Sequence, residues 1–195
     1  MYLIGASGHA KVVIDILEKC NVQVLGAFDD DLSKTSIMSI PVLGVTQECN
    51  GATSPCIITV GNNKIRKNLS AKLNISYSKA VHPSAIISKG VEIDEGTVIM
   101  ASAVVNADTK IGRHVIVNTS ASIDHDCLIG DYVHIAPNAT ITGGVTVGEG
   151  TLIGAGAVIL PGINIGEWAI IGAGAVVNNN VPPNAKVVGV PAKEM

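Results

Sequence analysis

The sequence predicts two joined folds: a small parallel α/β domain of Rossmann-like order over residues 1–80, and a left-handed parallel β-helix over residues 81–195. Three observations predict them. From Ile87 to Val177 every sixth residue is Ile or Val, sixteen in succession; if a quarter of all residues were Ile or Val, the chance odds would be on the order of 10⁻¹⁰. Two residues before each sits a second series, beginning Ala85, Val91, Thr97, Ala103, Thr109, Val115, Ala121, Cys127, Val133 and Ala139, all small or β-branched. The first eighty residues lack this pattern and run instead as strand, Gly-rich turn, helix and strand.

Composition agrees. Hydrophobic residues make up 47% of the 195 residues but aromatics only 3%, and there are 21 glycines. The apolar mass is therefore Ile, Val, Ala and Leu, which suits narrow, regular, turn-rich packing. A net charge of −3, with no basic patch, gives no footprint for nucleic acid. No apolar run reaches membrane-spanning length and the start lacks a charged leader, so no membrane role is expected. Cys20, Cys49, Cys56 and Cys127 have no C-x-x-C spacing and read as reduced thiols of a cytoplasmic protein.

In the first domain "MYLIGASGHAKVVIDILEKCN" is a strand, a turn and a helix with an apolar stripe through Val12, Val13, Ile16 and Leu17. "VQVLGAFDDD" is a second strand, "IPVLG" and "CIITVGNN" further strands, and "KIRKNLSAKLN" a helix. This order points to a parallel sheet. "AVHPSAIISKG" leads into the repeats. A period of six fits neither helix nor hairpin. It means short strands with a sharp turn after each, three to an 18-residue coil, stacked as a triangular prism of about five coils. Gly, Asn and Asp are expected at the positive-φ corners.

Two kinds of site stand out. "GASGH", Gly5 to His9, opens a helix directly after a strand, where glycines admit a ligand and free amides favour an anion. About twenty residues on, Asp29 and Asp30 end the second strand, where such a domain holds a ribose or base. The full G-x-G-x-x-G signature is absent, which disfavours a nicotinamide cofactor. Gly61, in "VGNNKIRK", reads equally as a ligand contact or as part of a helix cap. In the prism, "SIDHDCLIG" puts His125 at an outward corner between Asp124 and Asp126. A carboxylate holding one imidazole nitrogen fixes the tautomer and raises basicity, as a general base requires; a solvated turn is the alternative. His134 faces outward nine residues later, and His114 is another corner residue. Zinc sites with three histidines need two ligands only a few residues apart, so no metal is expected here.

These stretches, with "HPSAIIS", "VIVNTSASIDHDCLIG" and the tail "VVGVPAKEM", resemble the sugar acetyltransferases of the hexapeptide-repeat superfamily. The nearest group is the nucleotide-amino-sugar N-acetyltransferases, typified by UDP-N-acetylbacillosamine N-acetyltransferase, with the sialic acid O-acetyltransferases beside it. The resemblance implies an N-terminal domain that binds a UDP-sugar, and a β-helix that forms a homotrimer with acetyl-CoA sites between subunits. It implies His125 as general base and Asp126 as the residue orienting it, where the family commonly has Glu. Ser7, Gly8 and His9 would surround the sugar diphosphate, Asp29 and Asp30 the uridine, and Gly61 a further part of the substrate. His134 would lie near the acetyl group, and the main chain at Ala155 and Ala173 would meet the pantetheine arm. The implied activity is N-acetylation of a UDP-linked 4-amino-dideoxy sugar in bacterial glycan synthesis, with O-acetylation of sialic acid or another sugar as the alternative. A γ-type carbonic anhydrase and a catalytically silent prism are rivals of another class.

Overall fold

The computed structural model describes residues 1–50 and 54–195. Five strands form the first sheet: β1 (Tyr2–Ile4), β2 (Gly26–Phe28), β3 (Ser36–Ile37), β4 (Ile40–Gly44) and β5 (Cys56–Ile58). They lie in the order β3-β4-β2-β1-β5, all parallel except the β3–β4 edge. Helix α1 (Gly8–Lys19) follows β1 and α2 (Asn63–Lys72) follows β5. The buried stripe of α1 is Ala10, Val13, Ile14, Ile16 and Leu17. Val12, expected in that stripe, is 39% exposed. Residues 10, 13, 14 and 17 share one side of a 3.6-residue turn, and Val12 falls off it.

From Ala80 onward the chain winds as a parallel β-helix. A two-residue strand recurs every six residues, and each pairs in parallel with the strand 18 residues on, as in Ser122↔Thr140 and His134↔Leu152. Three faces result. Face one runs from Ile86–Ile87 to Val176–Val177, face two from Glu92–Ile93 to Asn164–Ile165, and face three from Ala80–Val81 to Ile170–Ile171 and on to Lys186–Val188. From Ile99 and Ala103 onward, both expected inward series form one buried core, broken only by partly exposed Ile163 and by Thr109 and Thr151, which are themselves buried.

The corners differ from expectation in chemistry. Every sixth residue from Gly90 to Gly174 has positive φ, but Ser102, His114, Ser120, Tyr132 and Trp168 occupy such positions besides Gly, Asn and Asp. A non-glycine residue in this region costs about 1–2 kcal/mol. The two aromatic rings are seated against neighbours, Tyr132 stacking on His114 with ring centroids 5.3 Å apart. The α/β domain sits on face three. Its apolar core continues from α1 into Ala80, Val98, Met100 and Ile116, so the outward side chains of the first coils are buried beneath it.

Candidate active site

His125 lies on the edge between faces one and two. Inside the prism, the Thr109 hydroxyl donates to the Asp124 carbonyl (2.7 Å) and accepts from the Cys127 amide (3.1 Å), pinning both sides of the histidine. The Asp124 carboxylate accepts from the His125 amide (2.9 Å) and from Asn106 Nδ2 (2.9 Å) one coil earlier. The imidazole Nδ1 lies 2.7 Å from Asp126 Oδ2. A carboxylate only accepts, so Nδ1 carries the proton of the neutral ring and Nε2 keeps its lone pair. The hydrogen bond to Asp126, then the charge of Asp124, raise the pKa of His125 above the ordinary imidazole value. One coil further on, a Cβ at Gly143 would fall 2.7 Å from the ring's Cε1 and 2.8 Å from Nε2. Gly143 is absent from the positive-φ residues, so the ring's close approach is what asks for glycine there.

The second cluster lies where the α/β domain meets face three. Gly5, at φ +106 and 2.8 Å from Val60 at its missing Cβ, is required by the backbone and by packing. Gly8 and Gly61 have open space around theirs and no positive φ. The fold does not demand glycine at either position, which leaves both open to close approach by a ligand. The Ser7 hydroxyl accepts from Lys34 Nζ (2.9 Å), which also reaches Asp29 (2.9 Å). Burial pushes the Asp29 carboxyl up, but Lys34 and the amides of Ala6 and Asp31 together hold it below its ordinary value. Asp30 turns the other way. Its Oδ1 accepts from the amide and hydroxyl of Thr46 (2.9 and 2.8 Å), beside a hollow of about 600 Å³ that Lys72 and Leu69 also line.

His134 borders a groove of about 430 Å³ with Gly61, Lys64, Leu152, Trp168 and Ile170. Its Nε2 accepts from Asn118 Nδ2 (3.1 Å). Burial, then the positive charge of Arg66, lower its pKa to about 4, against a hydrogen bond to the Gly61 main chain. His9 is likewise lowered to about 4, by burial, His134 and Arg66 in that order. Its Nε2 is shielded from solvent without a hydrogen-bond partner among the described residues. Both rings are thus neutral near pH 7. Among the described residues no group of three His, Cys, Asp or Glu side chains is close enough to hold a metal ion.

The structure therefore gathers Ser7, Gly8, His9, Gly61 and His134 on one side, with Asp29 behind the glycine turn and Asp30 facing the next hollow. Ala155 and Ala173 stand exposed, one coil apart, on the edge between faces three and one. His125 and Asp126 occupy the edge opposite face three, so one chain alone does not bring His125 to the groove. Sequence reasoning missed Lys34, Arg66, Asn118, Gly143 and Trp168. Trp168 carried a signal, as a lone bulky residue in a repeat of small ones. Asn118 and Arg66 carried none, since their partners are remote in sequence.

A prism of six-residue repeats with an exposed, carboxylate-held histidine, joined to a glycine-turn α/β domain, defines a hexapeptide-repeat transferase architecture. Comparison with known proteins agrees. The family profile "PglD N-terminal domain" matches residues 1–73, and "Bacterial transferase hexapeptide (six repeats)" matches residues 108–143 and 144–179. Crystal structures of perosamine N-acetyltransferase from Caulobacter crescentus with CoA and GDP-perosamine include a histidine-to-asparagine variant at 37% identity. It covers 100% of this chain and 95% of that one, with a TM-score of 0.95. The acetyltransferase domain of PglB from Neisseria gonorrhoeae is 36% identical over 100% and 98% of the two chains, with a TM-score of 0.93; the same domain is also known with acetyl coenzyme A. UDP-N-acetylbacillosamine N-acetyltransferase of Bacillus subtilis is 40% identical over 108 residues. An uncharacterised mimivirus protein is 35% identical over 101 residues. These two matches span 50% and 21% of the relatives' lengths. The chain belongs to the family of sugar N-acetyltransferases that join a PglD-type N-terminal domain to a hexapeptide-repeat β-helix.

Proposed function

We propose that the protein transfers an acetyl group from acetyl-CoA to the amine of a nucleotide-linked amino sugar, with His125 as general base. The observation that carries the proposal is the His125–Asp126 pair: Nδ1 is held at 2.7 Å, so the exposed Nε2 is the free, basic nitrogen. A neutral amine attacks the thioester carbonyl, its proton passes to Nε2, and the tetrahedral intermediate collapses with departure of the CoA thiolate. The imidazolium then returns the proton to the thiolate. A base so placed contributes about 10²- to 10⁴-fold. His134 would meet the acetyl group and Ala155 and Ala173 the pantetheine arm.

The finer reading is a UDP-linked 4-amino-dideoxy sugar as acceptor and a homotrimer as the working form. Support for the trimer is geometric: the base and the groove lie on opposite sides of one prism, and a neighbouring copy can bring its His125 edge to this groove. Support for a nucleotide-linked acceptor is the glycine turn with Lys34 beside it, a cationic seat for a diphosphate. Relatives crystallised with GDP-perosamine make the nucleobase the feature to vary in the assay.

The test is thiol release from acetyl-CoA with UDP- and GDP-linked 4-amino sugars and with free sialic acid, for wild type and His125→Ala. Release with a nucleotide amino sugar, lost by about a hundredfold or more in the variant, is the expected result. Turnover of sialic acid alone would transfer the reading to O-acetylation, and an unimpaired variant would remove His125 as base.

A further inference from the structure

The edge between faces two and three has carbonyls that the coil ladder leaves unused. At His114, Tyr132 and Gly150 the amide donates to the preceding coil, at Glu95, Arg113 and Asp131, but no main-chain amide among the described residues reaches their own carbonyls. Buried carbonyls of this kind need donors. They receive them from α2. Arg66 Nε donates to the His114 carbonyl and Nη2 to the Tyr132 carbonyl, both at 2.8 Å. Asn63 Nδ2 donates to Gly150 (3.0 Å) and Thr151 (3.2 Å), and its Oδ1 accepts from Arg66 Nη2 (2.9 Å). The two side chains of α2 thus grip three successive coils of one edge.

The remaining arm of the guanidinium points at the site. Nη1 donates to the carbonyls of Val60 (3.0 Å) and Gly61 (3.1 Å), and Gly61 lines the groove together with His134. Arg66 is 1% exposed and takes part in none of the ion pairs among the described residues. A buried cation without a counter-charge is a poor way to gain stability. Its five donors instead fix a geometry that a flexible or apolar side chain could not.

We propose that Arg66 is a positioning residue: it sets the distance and angle between the Gly61 loop of the α/β domain and His134 of the prism, and so aligns the acceptor with the acetyl group. This rests on the functional reading above, in which Gly61 meets the acceptor and His134 the acetyl group. Each half of the site is built within its own domain, so loosening the clamp leaves each ligand its own contacts. The loss then falls on kcat and not on KM, because misplacement of reacting groups is felt in the transition state. A lysine keeps the charge but cannot serve the five acceptors as a fork.

The experiment compares Arg66→Lys and Arg66→Met with wild type. Kinetics are joined by acrylamide quenching of Trp168, which is the chain's only tryptophan and lines the groove against Lys64. Both variants should lose about tenfold or more in kcat, with both KM values within about threefold. The ligand-free quenching constant should rise by roughly twofold as the domain junction loosens. Wild-type kcat in Arg66→Lys, or a lowered melting temperature with unchanged kcat per folded molecule, would overturn the proposal. If the Arg66 variants do not fold, Asn63→Ala removes the Gly150 arm alone and should give a smaller loss of kcat in the same pattern; unchanged kcat and quenching there would equally overturn it. Should wild type acetylate no nucleotide amino sugar, the functional reading falls, and the quenching result alone decides whether Arg66 sets the junction.

Discussion

His125 is held from three sides: Asp126 at Nδ1, Asp124 at its amide, and the bare backbone of Gly143 beneath the ring. Asp126 sits in the left-handed region at φ +57, and its short carboxylate lies 2.7 Å from the ring nitrogen. This pairing sets the sign of the pH dependence. In the proposed role His125 works unprotonated, so kcat/KM should rise with pH through its pKa, which lies above the ordinary value chiefly because of Asp126. In Asp126→Asn that support is lost and the rising limb should move to lower pH. The plateau should also fall, by about tenfold or more, as the ring loses its orientation. A pH–rate profile of both proteins checks this, and an unmoved limb would mean that Asp126 does not set the basicity. The acid–His–acid triplet was legible in the sequence because it interrupts a repeat of small apolar residues. Gly143 was not, since one glycine among many gives no sign of what lies over it.

At the scale of the element, the coil is held by more than its two-residue strands. Thr97, Thr109 and Thr151 face inward, yet each donates to a carbonyl fifteen residues on and accepts from the amide eighteen residues on. Thr109→Val keeps the shape and removes both bonds, leaving the Asp124 carbonyl and Cys127 amide without that partner. Urea denaturation should show a loss of about 1–3 kcal/mol; a neutral result would mean that water or a relaxed turn takes over. The repeat made these elements legible, because a strict period of six leaves one way to bury both series. The same logic failed at Val12, where a stripe was read from hydrophobicity without the side that the sheet covers. The docking of α2 was beyond it altogether: in "KIRK" Arg66 reads as one of several surface cations, and its carbonyl partners lie 48 and 66 residues away.

At the scale of the molecule, two domains share a junction in which several ionisable rings are buried. His114 lies between Tyr77, at a centroid distance of 4.5 Å, and Tyr132, with neither ring nitrogen hydrogen-bonded among the described residues. Burial, then the charges of Arg113 and Arg66, lower its pKa to about 4. The unfolded chain takes up a proton near pH 6.5 and the folded chain does not, so the stability present above 6.5 is lost as pH falls toward 4. The loss is on the order of 3 kcal/mol for this one residue. His114→Phe should flatten the decline of the urea midpoint between pH 6.5 and 4 by about one proton's slope, and an unchanged slope would place the acid sensitivity elsewhere. The two-domain order was legible from the break in periodicity near residue 80. How the domains meet was not, because it depends on edge carbonyls that carry no side-chain signature.

Pairing at intervals of eighteen residues has a consequence for how such a gene can change. Loss or gain of a single hexad would turn every later residue onto the next face: Ala155 and Ala173 would leave their edge, and Trp168 would no longer stand over Gly150. Only whole coils can be added or removed without scrambling the coils beyond them. Much as a message is read in triplets, the prism keeps a frame of its own, and insertions tolerated in evolution should come in multiples of eighteen or as excursions looped out at a corner.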